Sequence, residues 1–145
     1  MLIGEYRHTI DDKSRVSLPS KFRKTLGSKV IVTNGLDSCL FVFGVGEWEK
    51  FSGEIAKMSL VEGDKRKFTR FMLGGAVEAD VDSAGRILLP DFLKDFARLK
   101  SKVVIAGVHS RVEIWNEKTW DDYKTNVEKD IDVLAEKLGE IGALS

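Results

Sequence analysis

The chain has 145 residues, 43% of them hydrophobic, which suits one compact folded domain, and no run approaches the ~18–20 apolar residues that span a bilayer. The single cysteine, Cys39, cannot form an internal disulfide, and the opening MLIGEYRHT lacks the basic-then-apolar pattern of a secretory leader, so a cytoplasmic protein with no membrane association is expected. The 23 basic and 23 acidic residues cancel, yet residues 4–29 carry seven basic against three acidic side chains, whereas 113–145 carry four lysines against nine acids. Such segregation steers an anionic partner to one end, although chance asymmetry on a solvated surface gives the same pattern.

Residues 4–11 alternate, with Tyr6, His8 and Ile10 on one face and Glu5, Arg7, Thr9 and Asp11 on the other, which predicts a half-buried strand. A polar turn, DDKSR (11–15), leads into a short strand, VSL. Pro19 pushes Leu18 towards extended geometry and itself suits the first helical position. A short helix is therefore expected over PSKFRKTLG, with Phe22 and Leu26 inward, followed by strands near 30–33 and 40–43. In 47–58, Trp48, Phe51, Ile55 and Met58 step by 3, 4 and 3, one face of a helix. A second helix, over 63–73, has Phe68, Phe71, Met72 and Leu73 on its apolar side and stops at Gly74–Gly75.

The opening phrase then returns. GEYRHTIDDKSRVSLP (4–19) aligns without gaps onto GAVEADVDSAGRILLP (75–90), with Gly4/Gly75, Asp11/Asp82, Arg15/Arg86, Leu18/Leu89 and Pro19/Pro90 identical. After one inserted residue, KVIVTNGLDSCLFVF (29–43) meets SKVVIAGVHSRVEIW (101–115), and Trp48 falls on Trp120. The second copy thus predicts a strand over 77–81, the turn DSAGR, a strand ILL, a helix over PDFLKDFARL, and strands near 103–106 and 112–115. Beyond it Trp120, Tyr123, Val127, Ile131, Leu134, Leu138 and Ile141 step by 3 or 4, a helix running to about 142 with Asn116 as its N-cap. One domain over 1–145 is expected, with repeat 1 at about 1–60 and repeat 2 at about 72–125 interleaved in a β-rich core.

These phrases resemble the signatures of the MraZ family of bacterial proteins, in which two AbrB-like swapped-hairpin units stand in tandem. The family's first signature, D-x-K-G-R-hydrophobic-x-hydrophobic-P, reads here Asp11-Asp12-Lys13-Ser14-Arg15-Val16-Ser17-Leu18-Pro19; its second, D-x-x-G-R, reads Asp82-Ser83-Ala84-Gly85-Arg86. The stretches GLDSCLFVF, VEIWNEKTW and RFMLGGAVEADVD also match, so the resemblance covers nearly all of residues 1–124. It implies an α+β fold, a β-rich swapped-hairpin barrel of two repeats with peripheral helices. It also implies a sequence-specific DNA-binding transcription regulator. Such a regulator acts as a ring-like homo-oligomer on short repeated boxes in the promoter region of a cell-division and cell-wall gene cluster, associated with the nucleoid. Its DNA contacts map onto Lys13 and Arg15. Ser14 departs from the family's turn glycine and puts the geometry of that turn in question.

A turn carrying lysine and arginine suits groove and phosphate contacts on double-stranded DNA. Arg7, Lys21, Arg23 and Lys24 could add phosphate contacts. Residues 75–101, with four basic and five acidic side chains, make the second turn mainly structural, with Arg86 assisting. The competing reading is that Arg15 and Arg86 simply pair with Asp11 and Asp82 and lock their hairpins. A calcium loop through Asp80, Asp82, Gly85 and Asp91 fails at Ala84 and Leu88, so no metal or other cofactor is expected. Neither His8 nor His109 is linked by pattern to Cys39, and no P-loop or dinucleotide fingerprint is present, so no enzyme is expected. The alternative function is a protein-interaction or assembly scaffold with weak or lost DNA binding.

Overall fold

A computed structural model describes residues 1–143. The first repeat forms β1 (Leu2–Thr9), β2 (Arg15–Ser17), α1 (Ser20–Leu26), β3 (Lys29–Asn34) and β4 (Leu40–Gly44). Two helices follow, α2 (Val45–Ala56) and α3 (Gly63–Gly74). The second repeat gives β5 (Val77–Asp80), β6 (Arg86–Leu88), α4 (Asp91–Phe96), β7 (Lys102–His109) and β8 (Val112–Asn116), and α5 (Glu117–Lys129) and α6 (Ile131–Glu140) end the described chain. A helix follows each proline as expected, but Pro19 and Pro90 are extended N-cap residues immediately before α1 and α4 rather than their first helical residues. Asn116 caps α5 by accepting a hydrogen bond from the Thr119 backbone N–H at 3.1 Å.

Six strands form one antiparallel sheet in the order β1-β7-β8-β4-β3-β5, and β2 pairs with β6 in a separate two-stranded ribbon. Exchanging the repeats (β1 for β5, β3 for β7, β4 for β8) reverses that order onto itself, so a pseudo-twofold axis runs between β4 and β8. The hairpins are swapped: β1 pairs with β7 of the other repeat, and β5 with β3. The fold is α+β and β-rich, as expected, but the sheet does not close into a barrel. Its edges, β1 and β5, run into turns that feed β2 and β6 across one face instead of pairing with each other.

Strand alternation gives the sheet two buried faces. On one, Val30, Val32, Leu40, Val42, Val103, Ile105, Val112 and Ile114 pack with Val16, Leu18, Phe22, Ile87, Leu89 and Leu93 from the ribbon and from α1 and α4. On the other, Phe41, Phe43, Val104 and Trp115 pack with Ile55, Met72, Phe51 and Trp120 from α2, α3 and α5. The C-terminal apolar period is carried by two helices rather than one, because Asp130 leaves helical geometry at φ −114°, ψ 12° between α5 and α6. No helix among the described residues is long and apolar enough to cross a membrane.

Candidate nucleic-acid interface

The β2–β6 ribbon is two-faced. Val16 opposes Ile87, and both are buried against the sheet; Arg15 opposes Leu88 and Ser17 opposes Arg86 on the outer face. Leu88 is 60% exposed there, so two arginines and one apolar side chain share an open surface. Because the strands are antiparallel, the two signature turns lie at opposite ends of the ribbon. Ser14 lies beside Leu89 and Gly85 beside Leu18, each joined by a backbone hydrogen bond of 2.9 Å. Four residues of strand separate the two turns, about 13 Å at ~3.3 Å per residue.

Each turn is built around its leading aspartate. Asp11 Oδ1 accepts the backbone N–H groups of Lys13 and Arg15 at 2.9 Å, and Oδ2 accepts Arg15 Nε at 2.8 Å. Asp82 repeats the pattern with the backbones of Ala84 and Arg86 and with Arg86 Nε, all at 2.9 Å. These bonds, led by the backbone N–H of Arg15 and of Arg86, hold both carboxyls below the ordinary aspartate range. The Arg–Asp locking pairs are therefore present in both turns. They engage only Nε, however, and the terminal guanidinium nitrogens of Arg15 and Arg86 make no hydrogen bond to the described residues. Lys13, at the exposed tip, has no side-chain partner among them either.

The hairpin exchange also decides which cations surround which turn. Arg23 of α1 donates from Nε to the Leu18 carbonyl at 2.8 Å, and its guanidinium lies flat over Gly85, in the second turn. Lys94 of α4, the repeat counterpart of Arg23, donates from Nζ to the Ser14 hydroxyl, in the first turn. Lys21 and Lys24 are exposed on the same short helix as Arg23, which starts beside the second turn's end of the ribbon. Lys94 is the residue that sequence reasoning missed, and the available signal was its alignment on Arg23. Arg7 is not brought to the ribbon. It sits on the opposite sheet face, paired with Asp121 at 2.8 Å and Glu117 at 3.3 Å; these partners raise its pKa, and Arg7 in turn lowers that of Asp121.

Ser14 adopts φ 62° and Gly85 φ 78°, so the left-handed turn residue survives the serine substitution. Cys39 is buried beneath Phe41 and Ile55, and burial pushes its thiol pKa up. Among the described residues no group of three or more His, Cys, Asp or Glu side chains is placed to hold a metal ion.

A pseudo-twofold sheet, with two Asp–Arg turns exchanged between repeats on one ribbon, defines a tandem swapped-hairpin protein. The family model described as "MraZ protein, putative antitoxin-like" matches twice, over residues 1–71 and 72–138. The chain belongs to this MraZ family. A protein of Thermoanaerobacter sp. (strain X514), named "Transcriptional regulator MraZ", is 44% identical over 141 residues, covering 97% of this chain and 99% of the relative. Relatives of the same name from Caldicellulosiruptor saccharolyticus (45% identical; 98% and 99% covered) and Moorella thermoacetica (44%; 95% and 96%) agree over nearly the full length.

Proposed function

We propose that the chain is a transcriptional regulator that binds double-stranded DNA in a sequence-specific manner, through the basic turn of the first repeat. The observation that carries this reading is the outer face of the ribbon. There Lys13 and the terminal nitrogens of Arg15 are uncommitted and project from a turn whose backbone is fixed by Asp11. Arg15 has the planar donor pair that suits guanine O6 and N7, and Lys13 suits phosphate. Arg86, Lys21 and Arg23 supply further contacts along the same ribbon and its flanking helix. Arg7, on the far sheet face, stands apart from that surface.

Membership in a family whose relatives are named transcriptional regulators supports the same reading. Its target would be a set of short repeated boxes in the promoter region of a cell-division and cell-wall gene cluster, reached in the cytoplasm at the nucleoid. A single ribbon offers few cations and binds weakly, so several subunits acting on repeated boxes would multiply affinity through effective concentration. The outward apolar side chains of α6 (Ile131, Val133 and Leu134) favour such self-association, and they equally favour the scaffold reading.

The test is fluorescence anisotropy with labelled duplexes, one carrying direct repeats from upstream of the protein's own gene and one scrambled, at several salt concentrations. Preference for the repeats is expected, with Arg15→Ala weakening binding by about five-fold or more, as about 1–3 kcal/mol per base contact implies. Equal binding to both duplexes, or an unchanged Arg15→Ala, refutes the DNA reading. A strict monomer by light scattering removes the multivalent part of it.

A further inference from the structure

In the sequence the basic residues cluster around the first turn; in the fold they do not. The end of the ribbon bearing turn 1 (Asp11–Arg15) abuts α4 and gathers Lys13, Arg15, Lys94 and Lys100 against Asp11, Asp12, Asp91 and Asp95, a net of zero. The end bearing turn 2 (Asp82–Arg86) abuts α1 and gathers Lys21, Arg23, Lys24 and Arg86 against Asp82 alone, a net of +3. The hairpin exchange has moved the basic helix of the first repeat onto the turn of the second.

From this we infer that the second turn is a DNA-backbone contact in its own right, assembled from both repeats and used together with the first across one groove. The inference deepens the DNA-binding reading above and rests on it. Three observations carry it. Arg23 of α1 lies directly over Gly85, and Lys21 and Lys24 are exposed on the same short helix. The tip residues Ser83 and Ala84 are exposed and carry no side-chain charge of their own, and the neighbouring Asp82 carboxylate is bound by Arg86 and two backbone N–H groups. The ~13 Å between the turns matches the ~12 Å width of a B-DNA major groove, so turns at the two ends of one ribbon reach both bordering backbones. Lys94 is then a positioning residue: it holds the Ser14 hydroxyl and adds the one α4 cation of the first turn's end.

Ala84 provides a test that does not disturb folding. It is the repeat counterpart of Lys13, it is exposed, and only its backbone N–H is used, by Asp82. Ala84→Lys makes the second tip match the first, and Ala84→Glu opposes it. Both are titrated by anisotropy against the labelled repeat duplex over a range of salt, beside wild type, Arg15→Ala and Val61→Glu. The last is a control for added negative charge on the loop between α2 and α3. Ala84→Lys is expected to tighten binding several-fold and to steepen the slope of log K against log salt by about one per engaged subunit. Ala84→Glu is expected to weaken binding at least ten-fold while Val61→Glu changes it less than two-fold.

If wild type binds and Arg15→Ala weakens it, but both Ala84 variants stay within two-fold at unchanged slope, the second turn does not face DNA. In that case only this inference falls. An equal loss for Ala84→Glu and Val61→Glu also overturns it, because the effect is then one of overall charge. If wild type binds no duplex, the DNA reading itself fails, and this inference with it.

Discussion

Gly85→Ala tests the cross-repeat packing on which the ribbon depends. The change adds one methyl group, and two separable penalties follow. At φ 78° a residue with a Cβ is left-handed and loses roughly 1–2 kcal/mol relative to glycine. The new Cβ also overlaps the Arg23 guanidinium, which must swing aside and give up its hydrogen bond to the Leu18 carbonyl. For a half-buried charged donor that loss is about 1 kcal/mol, the lower part of the usual range. The sum is roughly 2–3 kcal/mol, and with a urea slope near 2 kcal/mol/M the midpoint falls by about 1 M or slightly more. Urea unfolding followed by tryptophan fluorescence at fixed protein concentration reads it directly. In an Arg23→Ala background only the backbone penalty remains, so a double-mutant cycle should return a coupling of about 1 kcal/mol. An unmoved midpoint would refute both the left-handed backbone at residue 85 and the placement of Arg23 over it. Identical shifts in the two backgrounds would show that the side chains do not interact.

Two further outcomes follow from the turn carboxylates and the buried thiol. Asp11 and Asp82 are both held below 3.8, so as pH falls the unfolded chain takes up protons first. Their stabilisation is intact above about pH 5 and is lost as pH drops through 3.8 towards the lower folded values, and Asp11→Asn and Asp82→Asn should flatten that acid limb in pH-dependent denaturation. Acid limbs identical to wild type would mean that the carboxylates do not fix the turns. Cys39 is fully buried, its thiol raised by burial and bonded to the Leu36 carbonyl at 3.2 Å. A thiol reagent should therefore label it in denaturant and leave it unlabelled in the native protein over the same interval, whereas fast native labelling would place the strand edge near Cys39 in the wrong environment.

What could be read from the sequence was what is locally encoded. The alternation of Tyr6, His8 and Ile10, the Pro19 and Pro90 helix starts and the Asn116 cap each depend on a few neighbouring residues. Strands, short helices and α5 accordingly stand where those signals put them. The duplicated Asp–Arg turns were likewise visible as a repeat, and their carboxylate-centred geometry follows from the Asp side chain's preference for backbone N–H groups two and four residues on. Partner choice was not legible. Whether β1 pairs with β3 or with β7 is settled by long-range packing, and so is the pairing of β2 with β6, which sets Leu18 beside Gly85 and thereby puts Arg23 over the other repeat's turn. Charge counted along sequence windows therefore assigned the basic helix to the wrong end of the ribbon. The same long-range step leaves the sheet open, and Asp130 breaks a C-terminal apolar period that carries no local stop signal of the glycine or proline kind.

The departure at Ser14 reads differently once the exchange is known. The two copies differ at two positions that touch across the repeats: serine with lysine at one end, glycine with arginine at the other. Over Gly85 the planar guanidinium occupies the space a Cβ would need, which only glycine permits. At Ser14 a Cβ is present, so an arginine laid flat in the same manner would overlap it. The slimmer lysine stem passes and donates to the hydroxyl instead. The serine is thus one half of a matched pair. The hydrogen bond to Lys94, with the Ser14 N–H donating to the Asp11 carbonyl at 3.1 Å, offsets the left-handed backbone. Because each turn residue is matched to a cation of the other copy, neither repeat can change its turn alone. Introducing glycine at 14 without arginine at 94 removes the cross-repeat acceptor and leaves Lys94 only its pair with Asp91 at 3.4 Å, and introducing arginine at 94 without glycine at 14 creates the overlap. The chemistry of each signature turn is in this way a joint property of both halves of the chain.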